Sequence, residues 1–129
     1  MLRGLFPRLF SQFREGGLIV GQFLVSGSGA TLTPTANCYS GLTASGDTGQ
    51  YIVTLAGGAR QIVVVAAHAS LVDEDDNVGD GRVVSVNEED GISASAGTIP
   101  LSVASMASTV DEADLPDGSV LTITLLVNK

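Results

Sequence analysis

Tryptophan is absent and the other aromatic residues are few, four Phe and two Tyr among 129 residues. The interior must therefore be filled by Val, Ile, Leu and Ala, a composition that favours sheet over helix. There is one cysteine, Cys38. It excludes an intrachain disulfide and leaves no second thiol for a metal site, so it reads as a buried or half-exposed structural residue. The single histidine, His68, ends an apolar run and has no acidic residue within four positions, which points to a structural or surface role. Charged residues are 16% of the chain, against roughly a quarter in an average domain. High hydrophobicity with little charge is the reverse of the composition of disordered chains, so this chain folds. Its length bounds it to one domain and excludes a two-domain enzyme. The longest apolar run, Ile62 to Ala67, is six residues, far short of the roughly 20 that a membrane-spanning helix needs.

Basic residues are also scarce, and they are unevenly placed. Arg3, Arg8 and Arg14 are half of the six, whereas thirteen of the fourteen acidic residues lie at or after Asp47. From residue 15 onward, three basic side chains (Arg60, Arg82, Lys129) face fourteen acidic ones, a formal charge of −11. Such a body repels a phosphate backbone, so nucleic acid is excluded as its partner. At the N-terminus, Pro7, Arg8, Ser11, Gln12, Arg14 and Glu15 interrupt any apolar stretch. The segment is therefore not read as a secretion signal, and a cytoplasmic location in the cell that makes the chain is expected unless an assembly exports it.

Residues 1–17 are read as an N-terminal arm and 18–129 as the folded domain. In the arm, Leu2, Leu5, Phe6, Leu9, Phe10 and Phe13 recur at intervals of three and four, the period of an amphipathic helix. Pro7 requires that helix to begin near it, or the arm to be partly extended. Gly16-Gly17 then breaks the pattern. So short an apolar segment is not stable alone and must bury its stripe, either on its own domain or in a groove of a partner or neighbouring subunit.

Beyond the glycines the chain reads as short strands: Leu18–Val25, Ala30–Thr33, Gln50–Leu55, Arg60–Ala69, Arg82–Asn87, Ile92–Ala96, Ile99–Met106 and a closing strand around Leu121–Val127. Tyr51, Val53 and Leu55 alternate with Ile52 and Thr54, and Leu121, Ile123, Leu125 and Val127 alternate with Thr122 and Thr124. Ile62-Val63-Val64-Val65 does not alternate and reads as a central strand covered on both faces. Seven or eight such strands separated by turn clusters predict an all-β fold, an antiparallel β-sandwich or small barrel of jelly-roll type.

Few constellations could carry chemistry. The run from Asp73 to Gly81 offers oxygen ligands for calcium at Asp73, Asp75, Asp76 and Asn77, but an EF-hand frame starting at Asp73 puts Val78 where glycine is required and Val84 where the bidentate glutamate belongs. Two readings remain, a nonstandard calcium loop and a solvated turn that keeps a sheet edge soluble. With the acidic turns 88–91 and 111–114, the run suggests one acidic end of the sandwich. Gly27-Ser28-Gly29 lacks the spacing of a nucleophile elbow, and phosphate-cradling glycine loops are absent. The residues thus point away from an enzyme and require no cofactor.

Gly46-Asp47-Thr48-Gly49-Gln50-Tyr51-Ile52-Val53-Thr54-Leu55 resembles the Gly-Thr-Gly-x-Tyr-x-Val-Thr-Leu pattern of small tailed-bacteriophage virion proteins. Around it, in the same order, come a Ser/Gly/Ala/Thr-rich approach (Val25–Ala30), a Val-rich strand (Ile62–Ala67), an Asp-rich loop and a closing apolar strand (Val120–Val127). Asp47 inside the turn and the Phe/Arg-rich arm depart from the pattern. The resemblance covers residues 18–129 and implies a structural protein of the virus particle. The expected role is capsid decoration, or cement: binding the major capsid protein on the outer surface of the shell as a homo-oligomer, a trimer by shell geometry. In that role Leu5, Phe6, Leu9, Phe10 and Phe13 insert into capsid or subunit grooves, and Arg3, Arg8 and Arg14 steer toward acidic shell surface. The alternatives are a tail-fibre or knob module that binds host-surface glycan, and a small calcium-dependent binding domain outside any virus.

Overall fold

The computed structural model describes residues 17–47, 49–70, 81–105 and 108–129. Residues 1–16 of the N-terminal arm, with the side chains expected to bind a partner, and the calcium candidates Asp73, Asp75, Asp76 and Asn77 lie outside the described residues. Nine strands form: β1 (Gly17–Ser26), β2 (Thr31–Pro34), β3 (Leu42–Asp47), β4 (Gln50–Leu55), β5 (Gln61–Ser70), β6 (Arg82–Val86), β7 (Thr98–Ser105), β8 (Ser108–Glu112) and β9 (Val120–Asn128). They make two antiparallel sheets, ordered β2-β1-β9-β5 and β3-β4-β7-β6, with β8 also pairing to β7. These sheets pack face to face. The protein is a β-sandwich and not a closed barrel, because each sheet ends on its own edge strands and does not pair around into the other.

Alternation along the strands builds the core. β9 buries Leu121, Ile123, Leu125 and Val127 completely and turns Thr122 and Thr124 outward, as its sequence requires. Its partner β1 contributes Ile19, Phe23 and Val25. Facing them are Tyr51, Val53 and Leu55 of β4 and Ile99, Leu101 and Val103 of β7. Each such aliphatic side chain removed from water stabilises the fold by about 1.5–3 kcal/mol before chain entropy is counted. Cys38 is half-buried against this core and is a free thiol, in keeping with a structural position.

Three readings of the sequence need correction. β5 is not a central strand covered on both faces: it pairs only with β9 at the edge of its sheet, and Val63 and Val65 are 43% and 57% exposed. The alternation was hidden because its outward residues are themselves apolar, and a bulge between Val64 and Ala66 shifts the register. Residues 92–96 form turns held by a single bridge, Ser93 to Thr98, because Gly97, at φ 73°, donates back to the carbonyl of Ala94 and folds the chain there. Strands β3 and β8 had no counterpart in the sequence reading. Of the acidic segments, 88–90 follows β6, where Asn87 N–H donates to the carbonyl of Pro100, and 111–114 closes β8, where Ala113 N–H donates to that of Val103; the run from Asp73 to Asp80 lies outside the described residues.

Candidate functional site

The segment that carries the virion-protein resemblance is a hairpin. β3 and β4 pair from Leu42↔Leu55 to Asp47↔Gln50, and Gly49, at φ 68°, supplies the left-handed conformation that a tight hairpin turn demands. Gly46 stands directly across from Tyr51. A Cβ on Gly46 would fall within the Tyr51 ring, so the absence of a side chain is what lets the ring lie flat over the neighbouring strand.

The ring is held there by its hydroxyl. Tyr51 Oη donates to the carbonyl of Gly29 at 2.9 Å and accepts from the N–H of Leu115 at 3.1 Å. One side chain thus ties the β1–β2 turn of the first sheet to the β8–β9 connection through β4 of the second. Two carboxylates reinforce the tie: Asp114 accepts from Gly49 N–H at 3.0 Å, and Asp117 accepts from Gly29 N–H at 3.2 Å. Arg82 Nε donates to the carbonyl of Asp114 at 3.0 Å. Leu115, 1% exposed, plugs the core beneath. Burial pushes the Tyr51 phenol above its ordinary pKa; the Asp114 carboxylate pushes the same way, while the Leu115 N–H and the Arg82 charge pull it back.

A shallow groove of about 300 Å³ lies beside this clasp, lined in part by Ser45, Gln50, Ile52, Asn87, Asp90 and Pro100. Its polar rim is engaged in holding a turn. Asn87 Oδ1 accepts from the N–H groups of Glu89 and Asp90, and its Nδ2 donates to Asp90 Oδ2 at 3.1 Å. Ile52, 46% exposed, gives the groove an apolar element.

The residues that could have carried chemistry are not brought together. His68 is exposed on the outward face of the first sheet, paired across from Thr122, while the groove and its Ser45 belong to the second sheet. Of the aromatic residues in the body, Phe23 and Tyr51 are buried, and Tyr39, 39% exposed, lies outside the groove lining. No grouping of three or more metal-ligating side chains occurs among the described residues. No described helix is long and apolar enough to cross a membrane. The sequence reading missed the roles of Asp114, Leu115 and Asp117. The only local signal was an acidic pair around Leu115-Pro116, which does not disclose a partner 64 residues away.

Comparison with known protein families, with curated proteins and with solved structures found no match for this chain.

Proposed function

We propose that this chain is a non-enzymatic structural protein of a tailed-bacteriophage particle, a decoration or cement protein on the outside of the capsid. The observation that carries the reading is the resemblance of residues 18–129, whose segments follow the virion-protein order along a chain that is a β-sandwich. A second feature supports it. Polar groups at one end of the sandwich are engaged in holding sheets and turns together: the buried Tyr51, the half-buried Asp114 and the exposed Asp117 each bond backbone groups far away in the chain.

On this reading the protein binds the assembled shell and not its separate subunits, so mass action favours the closed particle. It self-associates, as a trimer if it sits over the shell's three-fold positions. Leu5, Phe6, Leu9, Phe10 and Phe13 anchor it in grooves of the major capsid protein, with Arg3, Arg8 and Arg14 drawn to acidic shell surface.

The test is co-sedimentation of the purified chain with heads of its own virus that lack it. The full chain is expected to pellet with the heads and to raise the temperature at which they release DNA. A Phe6→Ser, Phe10→Ser, Phe13→Ser variant with an unchanged melting curve is expected to stay in the supernatant. Failure of the full chain to bind heads, together with labelling of tails by an antibody to it, would shift the assignment to the tail-fibre reading.

A further inference from the structure

Charge is segregated in this fold to an unusual degree. The strands of the first sheet, GLIVGQFLVS, TLTP, VLTITLLVN and QIVVVAAHAS, contain not one Asp, Glu, Lys or Arg. All fourteen acidic residues of the chain lie elsewhere. The inward half of that sheet is core. Its outward half is also apolar or uncharged, where a solvated face ordinarily alternates to charged and polar residues.

The register places these outward residues in rows across the sheet. Leu18 pairs with Leu126, which pairs with Val63; Val20 pairs with Thr124, which pairs with Ala66; Leu24 lies beside Val120. Leu18 is 64% exposed, Leu24 44% and Val20 39%. No described element covers this face. The row between Val20 and Leu24, made by Gln22, Thr122 and His68, is polar but uncharged, so the face is two exposed apolar bands on an uncharged sheet; uncovered apolar surface of this kind on a small protein marks an interaction site.

We infer that the outward face of the β2-β1-β9-β5 sheet is the surface through which copies of this chain associate with one another. Charge identifies the occupant. A chain of net charge −8 repels its own copies over most of its surface. The first sheet is where two copies can meet without opposing like charges. An electrostatically steered partner, by contrast, would be expected to find charge across this face, and its strands carry none; Arg60 and Lys129 stand only at one end, beyond the Gln61–Asn128 pair. The size is also suitable. Strands spaced about 4.8 Å apart, with about 3.3 Å per residue, give a face roughly 30 Å long and 15–19 Å across, on the order of 500 Å² in plan. That sits somewhat below the roughly 800 Å² per partner of a standard interface, so association is expected at about micromolar concentration. Long β5, uncharged and at the sheet edge, carries a bulge that bends this edge away from open strand pairing, which leaves the outward face as the route to association.

The inference stands apart from the capsid reading, since a chain with no place on a capsid would still self-associate through this face. The experiment is sedimentation velocity on the full chain from about 1 to 200 μM. The wild-type chain is expected to form a defined oligomer, with association strengthened several-fold as salt rises and screens the like charges. Leu18→Lys with Val63→Lys is expected to weaken association at least 30-fold. Ile52→Lys, on the outward face of the other sheet, is expected to leave it unchanged. Should the double lysine variant lose its cooperative melt, Val20→Thr with Leu24→Thr replaces it, with an expected five- to tenfold weakening. A wild-type chain that remains monomeric throughout, an oligomer indifferent to the substitutions on this face, or one abolished by Ile52→Lys overturns the inference.

Discussion

Removing a single oxygen atom tests the physical basis of the sandwich. Tyr51→Phe leaves the ring over Gly46 and the core volume nearly intact, but it strands the Gly29 carbonyl and the Leu115 N–H, which meet at the hydroxyl at 2.9 and 3.1 Å. A buried polar group left without its partner costs about 1–3 kcal/mol. The two share one site and relax together, so a total of about 2 kcal/mol is expected. For a domain of this size that lowers the melting temperature by about 6–10 °C. With a urea m-value of about 1.5 kcal/mol/M, the midpoint falls by about 1.3 M and the slope is unchanged. The phenol also carries a pH signature. Its folded-state pKa is raised, chiefly by burial. Its contribution is therefore whole below the unfolded value of about 10 and is lost as pH rises from there through the folded value. The wild-type chain should lose stability over that alkaline window more steeply than Tyr51→Phe. A midpoint shift under about 0.3 M, or parallel alkaline profiles, would refute the claim that this hydroxyl ties the sheets.

Gly46→Ala should destabilise by about 1–3 kcal/mol, because the new methyl must displace a ring that its hydroxyl holds in place, whereas Ser45→Ala beside it should change stability by less than about 0.5 kcal/mol; thermal melts of the pair check this. Ile123→Ala, fully buried in β9, should cost about 2–5 kcal/mol by denaturant titration. Ser119 is fully buried and its hydroxyl has no hydrogen-bond partner, so Ser119→Ala should be neutral or stabilise by up to about 1 kcal/mol, and a clear loss of stability would show that the hydroxyl has a use.

Where outward residues were polar, the sequence disclosed the strand. β4 and β9 alternate cleanly because Thr54, Thr122 and Thr124 mark the outward side. β5 misled for the opposite reason: Val63 and Val65 face out, so the run looks covered on both sides, although both side chains are exposed. β3 was invisible because Ala44, Ser45 and Gly46 have little strand preference of their own and Leu42-Thr43 alone is too short a signal. They are strand because β4 pairs with them and Tyr51 covers Gly46. The clasp was equally hidden, since Gly29 and Leu115 meet the Tyr51 hydroxyl from 22 and 64 residues away and offer it only backbone groups, which no side-chain motif encodes.

A cryo-electron reconstruction of the particle is the most direct test of the capsid assignment. The account predicts sandwich-shaped density repeated over the outside of the head at symmetry-related positions, with the side chains of Leu5, Phe6, Leu9, Phe10 and Phe13 seated in the shell beneath it. Density for this chain confined to the tail, or a particle that contains none of it, would contradict that assignment.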